Sequence, residues 1–191
     1  MLNKLAIKLT SKLLAQNVIS GNLSDIYVYG FELLLSFLFS TSVILVMGIF
    51  FGRIFETITF LVVFISLRSF TGGYHAKKYW FCSAVTFSIF GVILFLSKYA
   101  QISLLLYALF GLIGIVIIAI TVPIESPNKP LSNDQKKKYR SISLALFIFF
   151  VALGAAINYI DNSIGSVVFF TLMADLLLLF IKNRKERRLK A

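Results

Sequence analysis

Apolar residues run almost unbroken through six segments of the chain, at about 28–50, 54–70, 79–99, 102–122, 141–160 and 163–181, separated by short polar joints. Crossing a bilayer core takes roughly 20 helical residues. Continuous runs, rather than alternation of apolar and polar positions, predict helices instead of barrel strands. The second run is the shortest and stands at the margin of a spanning length. Residues 2–19 have a different pattern. Lys4, Lys8 and Lys12 recur at helical spacing, while Leu2, Leu5, Leu9 and Leu13 mark another face. This predicts an amphipathic helix lying on the membrane and stopped near Ser20-Gly21-Asn22; the alternative is the polar lead-in of an ordinary span. The three prolines, Pro123, Pro127 and Pro130, all fall in PIESPNKPLS, where they predict a loop. The expected fold is all-α: a polytopic helical membrane protein with about six transmembrane helices and an interfacial helix. It forms a single membrane domain over 1–191, with an interfacial segment at 1–22, a core at 28–181 and a basic tail at 182–191.

Composition strengthens this reading. Of the 191 residues 59% are hydrophobic, and mean hydropathy is +0.90, against roughly 45–50% apolar in soluble domains. A formal net charge of +11 would suggest nucleic acid in a soluble protein. Here the placement of the charge decides otherwise. With six spans and the N-terminus inside, seventeen of the 19 Lys and Arg fall in inner segments: three in the first helix, three around 68–78, five over 129–140 and six in the tail. Only Arg53 and Lys98 lie outside. Positive residues favour the cytoplasmic side, so both termini are expected in the cytoplasm. The tail KNRKERRLK is expected to bind anionic lipid. The bilayer, not nucleic acid, is the partner these charges imply. No cleavable signal peptide is expected, because lysines interrupt the first apolar stretch.

The sole His and sole Cys, His75 and Cys82, lie in RSFTGGYHAKKYWFC, residues 68–82. One Cys forms no internal disulfide, and one His with one Cys does not make a zinc site; no metal or cofactor is expected. A thiolate is a nucleophile, and cationic neighbours lower the ordinary thiol pKa of about 8.5. Arg68, Lys77 and Lys78 make the local field positive, and His75 could take the thiol proton. The thiol would then attack a peptide carbonyl and form a thioester. The plain alternative is an inert apolar Cys beside a solvated His. On one straight helix seven residues separate the pair by about 10.5 Å along the axis, too far for a hydrogen bond of roughly 3 Å. A working dyad therefore needs a bend within 71–80, which Gly72-Gly73 would permit.

Arg68, Gly73, His75 and Cys82, followed by PIESPNKPL, resemble the accessory gene regulator protein B family, membrane cysteine endopeptidases of Gram-positive bacteria. The resemblance covers most of the chain, including its basic start, span count, His-to-Cys spacing and proline loop. It implies a short pro-peptide substrate with an amphipathic leader, a central signal segment and an acidic C-terminal tail. It further implies that Cys82 is the nucleophile and His75 its base. The tail leaves, and a Cys or Ser of the peptide attacks the acyl-enzyme to close a thiolactone or lactone. Arg68 and Gly73 match positions that support the active site. Lys129, Lys136, Lys137 and Lys138 look like partners for the acidic tail, although inside-positive topology explains them equally. A homodimer is also implied.

No third catalytic group follows from the motif. Glu56, Glu125, Asp161 and Asp175 are candidates only as acids, and Asp175 stands out because it interrupts an apolar run; a structural hydrogen-bonding role is the preferred reading for it. The rival function is a small multi-span transporter without covalent chemistry, for which paired polar groups near mid-membrane would be expected. Only Glu32 and Asp175 are scattered there. A non-enzymatic scaffold gives no reason for His75 and Cys82 to share a cationic turn.

Overall fold

A computed structural model describes residues 2–190 except 17, 72–78 and 124–131, with side chains described for those residues other than 2, 79–82 and 182–190. Among the described residues seven helices follow in order: α1 Leu2–Ala15, α2 Ser24–Phe50, α3 Ile54–Thr71, α4 Tyr79–Tyr99, α5 Leu104–Thr121, α6 Asn133–Ile160 and α7 Asn162–Lys190, with a 3₁₀ turn at Gly21–Leu23 before α2. No strand occurs among the described residues. The chain is an all-α, multi-pass membrane protein. Five helical segments are long and apolar enough to cross a bilayer, Ile54–Thr71 among them, and the described apolar part of α4 adds Ser83–Tyr99. At 18 residues, α3 extends about 27 Å, so the marginal second run does form a candidate span.

Three boundaries differ from the sequence pattern. Helix α1 ends at Ala15 rather than near residue 19, because Val18 and Ile19 are β-branched and weak helix formers. Helix α6 begins at Asn133, so QKKKYR forms its first turns instead of a loop. Its start is fixed by a capping box, in which the Gln135 N–H donates to Ser132 Oγ at 3.3 Å and the Ser132 N–H donates to Gln135 Oε1 at 3.1 Å. Helix α7 continues through the basic tail to Lys190, where no proline or glycine interrupts it.

The chain divides into two compact units, one of residues 1–47 with 75–87 and the other of 48–74 with 88–191. In the first unit α1 buries a narrow strip of small residues, with Ala6 at 0% and Thr10 at 1% exposure, while Leu5, Ile7 and Leu9 stay exposed. Lys4 and Lys8 point elsewhere, also exposed. Asn3 donates from Nδ2 to Glu32 on α2, satisfying an acid that is mostly buried.

In the second unit α7 is the central element: 56% of its spanning window is buried, against 22% for α5 and for α6. Its core includes Val168, Leu172, Leu176 and Leu179, packed with Val63 and Leu67 of α3, Ile118 of α5 and Phe147 and Phe150 of α6. The helices approach closely where glycine removes a side chain. A Cβ at Gly114 of α5 would collide with the Phe147 ring, and one at Gly154 of α6 would lie 2.7 Å from Val168 Cγ1. Entry to α3 is set by Gly52 at φ +66°. The Gly52 N–H donates to Ile49 O at 3.0 Å and the Arg53 N–H to Gly48 O at 2.8 Å, which closes α2 and satisfies carbonyls its end would orphan.

Candidate active site

Cys82 lies in the first turn of α4, which carries no acidic residue. The next residue, Ser83, is buried, and its Oγ lies 2.7 Å from Ser40 Oγ on α2. A hydroxyl pair therefore fastens the start of α4 to α2 one residue beyond the candidate nucleophile. His75 lies outside the described residues, as do Gly73, Lys129, Glu125 and most of the stretch in which a bend is expected.

Arg68 belongs to the second unit, in the last turn of α3, with its guanidinium 5.2 Å from the Phe64 ring centroid one helical turn back. Lys136, Lys137 and Lys138 occupy the first turns of α6. Nearby, Phe70 of α3 meets Tyr139 of α6 edge-on at 6.1 Å, and Arg140 Nε donates to Val122 O at 2.8 Å. This end of the unit therefore gathers Arg68, the three lysines and the aromatic pair.

The candidate third acids separate by location. Glu56 stands at the opposite end of α3, where its Oε1 accepts from Arg53 Nε at 3.0 Å and from Ser163 Oγ at 3.2 Å. Arg53 also donates to Ser97 Oγ at 3.2 Å, to the Leu94 carbonyl and to Ser163. Asp161 caps α7, with Oδ1 accepting from the Ser163 and Ile164 N–H groups at 2.9 and 3.1 Å. Both acids thus have structural work far from Arg68. Asp175 differs: it is 4% exposed, and its Oδ2 has no hydrogen-bond partner among the described residues. The sequence reading did not find the Ser40–Ser83 pair or the Arg53 cluster. The Arg53–Glu56 spacing, one turn apart within an otherwise apolar joint, was the available signal for the cluster.

Among the described residues no group of His, Cys, Asp or Glu could hold a metal ion. The sequence model of Accessory gene regulator B matches residues 3–181. The chain belongs to that family. Similar proteins include "Putative AgrB-like protein 2" of Clostridium perfringens, 28% identical over 165 residues, covering 78% of this chain and 77% of the relative. "Accessory gene regulator protein B" of Staphylococcus saprophyticus is 26% identical over 126 residues, covering 65% and 67%. "Protein FsrB" of Enterococcus faecalis is 39% identical over a shorter stretch of 67 residues, 35% of this chain and 28% of that protein. No solved structure matches the chain. Membership associates the chain with processing of quorum-sensing autoinducer peptides and with a pro-peptide partner.

Proposed function

We propose that the protein is a membrane cysteine endopeptidase that removes the C-terminal tail of a quorum-sensing pro-peptide and promotes cyclisation of the remainder. The family match over residues 3–181 carries this reading, because it takes in the whole of RSFTGGYHAKKYWFC. The position of Cys82 in the first turn of α4 supports it, since helix N-terminal N–H groups favour an anionic nucleophile.

His75 takes the Cys82 thiol proton, and the sulfur attacks the scissile carbonyl carbon. The carbon–nitrogen bond breaks, the departing amine of the tail takes a proton from His75, and the acyl group remains on sulfur as a thioester. A Cys or Ser side chain of the peptide then gives its proton to His75 and attacks the thioester. The bond to Cys82 breaks, the thiol recovers its proton, and a thiolactone or lactone is released. Arg68 and Gly73 support this site. Lys129, Lys136, Lys137 and Lys138 hold the acidic tail, and the amphipathic leader rests on the bilayer. The chain works as one membrane domain within a homodimer, with both termini in the cytoplasm.

Cys82→Ala should abolish cleavage of a pro-peptide while leaving membrane insertion intact, and Cys82→Ser should be nearly as inactive. Wild-type protein should accumulate a hydroxylamine-sensitive adduct when the peptide's own nucleophile is removed, and His75→Ala should slow its formation. Full cleavage by purified Cys82→Ala protein would overturn the enzyme reading. Reporter fusions after residues 76, 133 and 191 should all read cytoplasmic; an external signal at 133 would sink the six-span topology.

A further inference from the structure

Helix α2 touches the rest of the protein sparingly: 11% of its spanning window is buried, against 56% for that of α7. The positions that do turn inward follow one row at i, i+4 spacing, with Glu32 buried, Ser36 and Ser40 partly buried and Ile44 buried. Inside a bilayer the hydrophobic effect does not drive helices together, so their register rests on close packing and interhelical hydrogen bonds. Two polar contacts lie on this row. Asn3 of α1 donates to Glu32, and further along Ser40 Oγ lies 2.7 Å from Ser83 Oγ of α4. A hydroxyl on a helix ordinarily bonds the carbonyl one turn back, as those of Thr57, Thr59, Ser69, Thr121 and Thr171 do. The Ser40–Ser83 contact crosses between helices.

We infer that this hydroxyl pair holds the nucleophile in place against the peptide, which makes Ser40 a positioning residue acting on Cys82 through Ser83. The inference rests on the reading of Cys82 as the nucleophile. Ser83 follows Cys82 directly, and neighbours on a helix differ by only about 1.5 Å in height and about 100° in azimuth. Fixing position 83 therefore fixes the backbone at position 82. The two partners are unequal in a useful way. Ser40 lies within the 27-residue helix α2, where backbone hydrogen bonds on both sides keep the chain stiff. Ser83 stands near the start of α4, where the first N–H groups have no partner inside the helix and tertiary contacts must set the position of the turn. Ser83 is also 8% exposed, and both serines belong to apolar segments, so no bulk water competes for the bond. Apolar neighbours would tolerate sliding; a hydroxyl pair is directional. Acyl transfer is sensitive to such shifts, since misplacement by about 1 Å can cost roughly a hundredfold in rate.

The test uses the full chain in lipid nanodiscs, and the contact is tested first. In a Cys82→Ala chain, Ser40→Cys together with Ser83→Cys should form an intramolecular disulfide on mild oxidation, read by mass spectrometry. Ser42→Cys, at an exposed position of α2, should form none with Ser83→Cys. No disulfide in the first pair, or equal yields in both, would overturn the contact, whatever the protein catalyses. The second measurement compares cleavage of a synthetic pro-peptide, with an amphipathic leader, a cysteine-containing centre and an acidic tail, with alkylation by iodoacetamide. Cys82 is the sole Cys, so in the chain alkylation reports on that thiol alone, and a small reagent needs the thiolate but no alignment with a peptide. Ser40→Ala should lower kcat roughly tenfold or more, while KM, the alkylation rate and its pH profile stay as in wild type. Ser40→Thr, which keeps the hydroxyl, should recover most of the rate, and Ser42→Ala should cleave as wild type does. Ser40→Ala with Ser83→Ala should be no worse than either change alone, because both remove one bond. Wild-type kcat in Ser40→Ala would overturn the inference. So would a loss of alkylation equal to the loss of cleavage, since the pair would then serve folding or thiolate reactivity rather than position. Cleavage by Cys82→Ala at the wild-type rate would remove the enzyme reading and the inference with it, while the disulfide result would still decide the contact.

Discussion

The two ends of the α3–α7 pair use the same ingredients, an arginine and an acid, in opposite ways. At the Arg53 end the charges are closed off. Arg53 and Glu56 lie 3.0 Å apart with side chains 19% and 16% exposed, and serine hydroxyls and a carbonyl complete the cluster. Adjoining it, Asn158 Nδ2 donates to Ile102 O at 2.8 Å, Asn162 Nδ2 to Ala100 O at 2.7 Å and Tyr107 Oη to Gly165 O at 2.5 Å. At the Arg68 end, Asp175 Oδ2 and the buried Ser143 Oγ have no hydrogen-bond partner among the described residues. A buried polar atom left so costs about 1–3 kcal/mol. Near the Arg53 cluster one buried atom, Asn158 Oδ1, also has no hydrogen-bond partner among the described residues, but there the charged groups themselves are paired and bonded.

Variants at the two ends should therefore separate stability from processing. The largest stability effect is expected from Arg53→Ala, which leaves Glu56 without its cation. Breaking a largely buried pair costs about 3 kcal/mol, so thermal unfolding in detergent should occur several degrees lower. Cleavage per folded molecule should change less than twofold at low temperature. A tenfold loss of specific activity without a shift in unfolding would erase the contrast between the ends. Next comes Asp161→Ala, which removes the cap of α7 at a cost of about 1 kcal/mol and should likewise leave processing per folded molecule intact. The smallest stability effect belongs to the other end. Changing the exposed Lys137 and Lys138 together to Gln should move unfolding hardly at all, since exposed charges contribute about 0–1 kcal/mol. Processing should fall, and the gap from wild type should narrow as salt rises, because salt already screens the wild-type attraction for an acidic tail. Unaffected cleavage with failed membrane insertion would assign these lysines to topology alone.

Much of the fold was legible because a bilayer imposes a simple pattern. Six runs gave six helices, with α2 to α5 within a few residues of the expected positions. The pattern ran out at α6, where Asn133 to Arg140 are polar yet helical, because helix geometry does not require an apolar residue once a capping box has begun it. The Arg53 cluster was illegible for a different reason. It joins residues 44 and 110 positions apart, and no local periodicity encodes such distances. Of the candidate site, Cys82 and Arg68 fall on helices whose ends the glycine pair and flanking polar residues mark, whereas His75, Gly73 and Lys129 lie outside the described residues. Glu56 and Asp161 were offered only by their charge, and their structural partners show why acidity alone selects poorly.

The 18-residue length of α3 and of α5 reaches beyond the fold. Each helix extends about 27 Å, a few ångströms short of an average hydrocarbon core of about 30 Å. A short span usually meets a thick membrane by thinning the bilayer around it, and each ångström of mismatch costs a fraction of a kcal/mol. The Glu56–Ser163 bond and the packing of Val63 and Leu67 with Leu172 and Leu176 tie α3 to α7, which keeps α3 from sliding to share that mismatch with its neighbours. Acyl-chain length then becomes a mechanical load on the α3–α7 contact, and lipids with shorter tails should relieve it, tuning the protein through the thickness of its solvent.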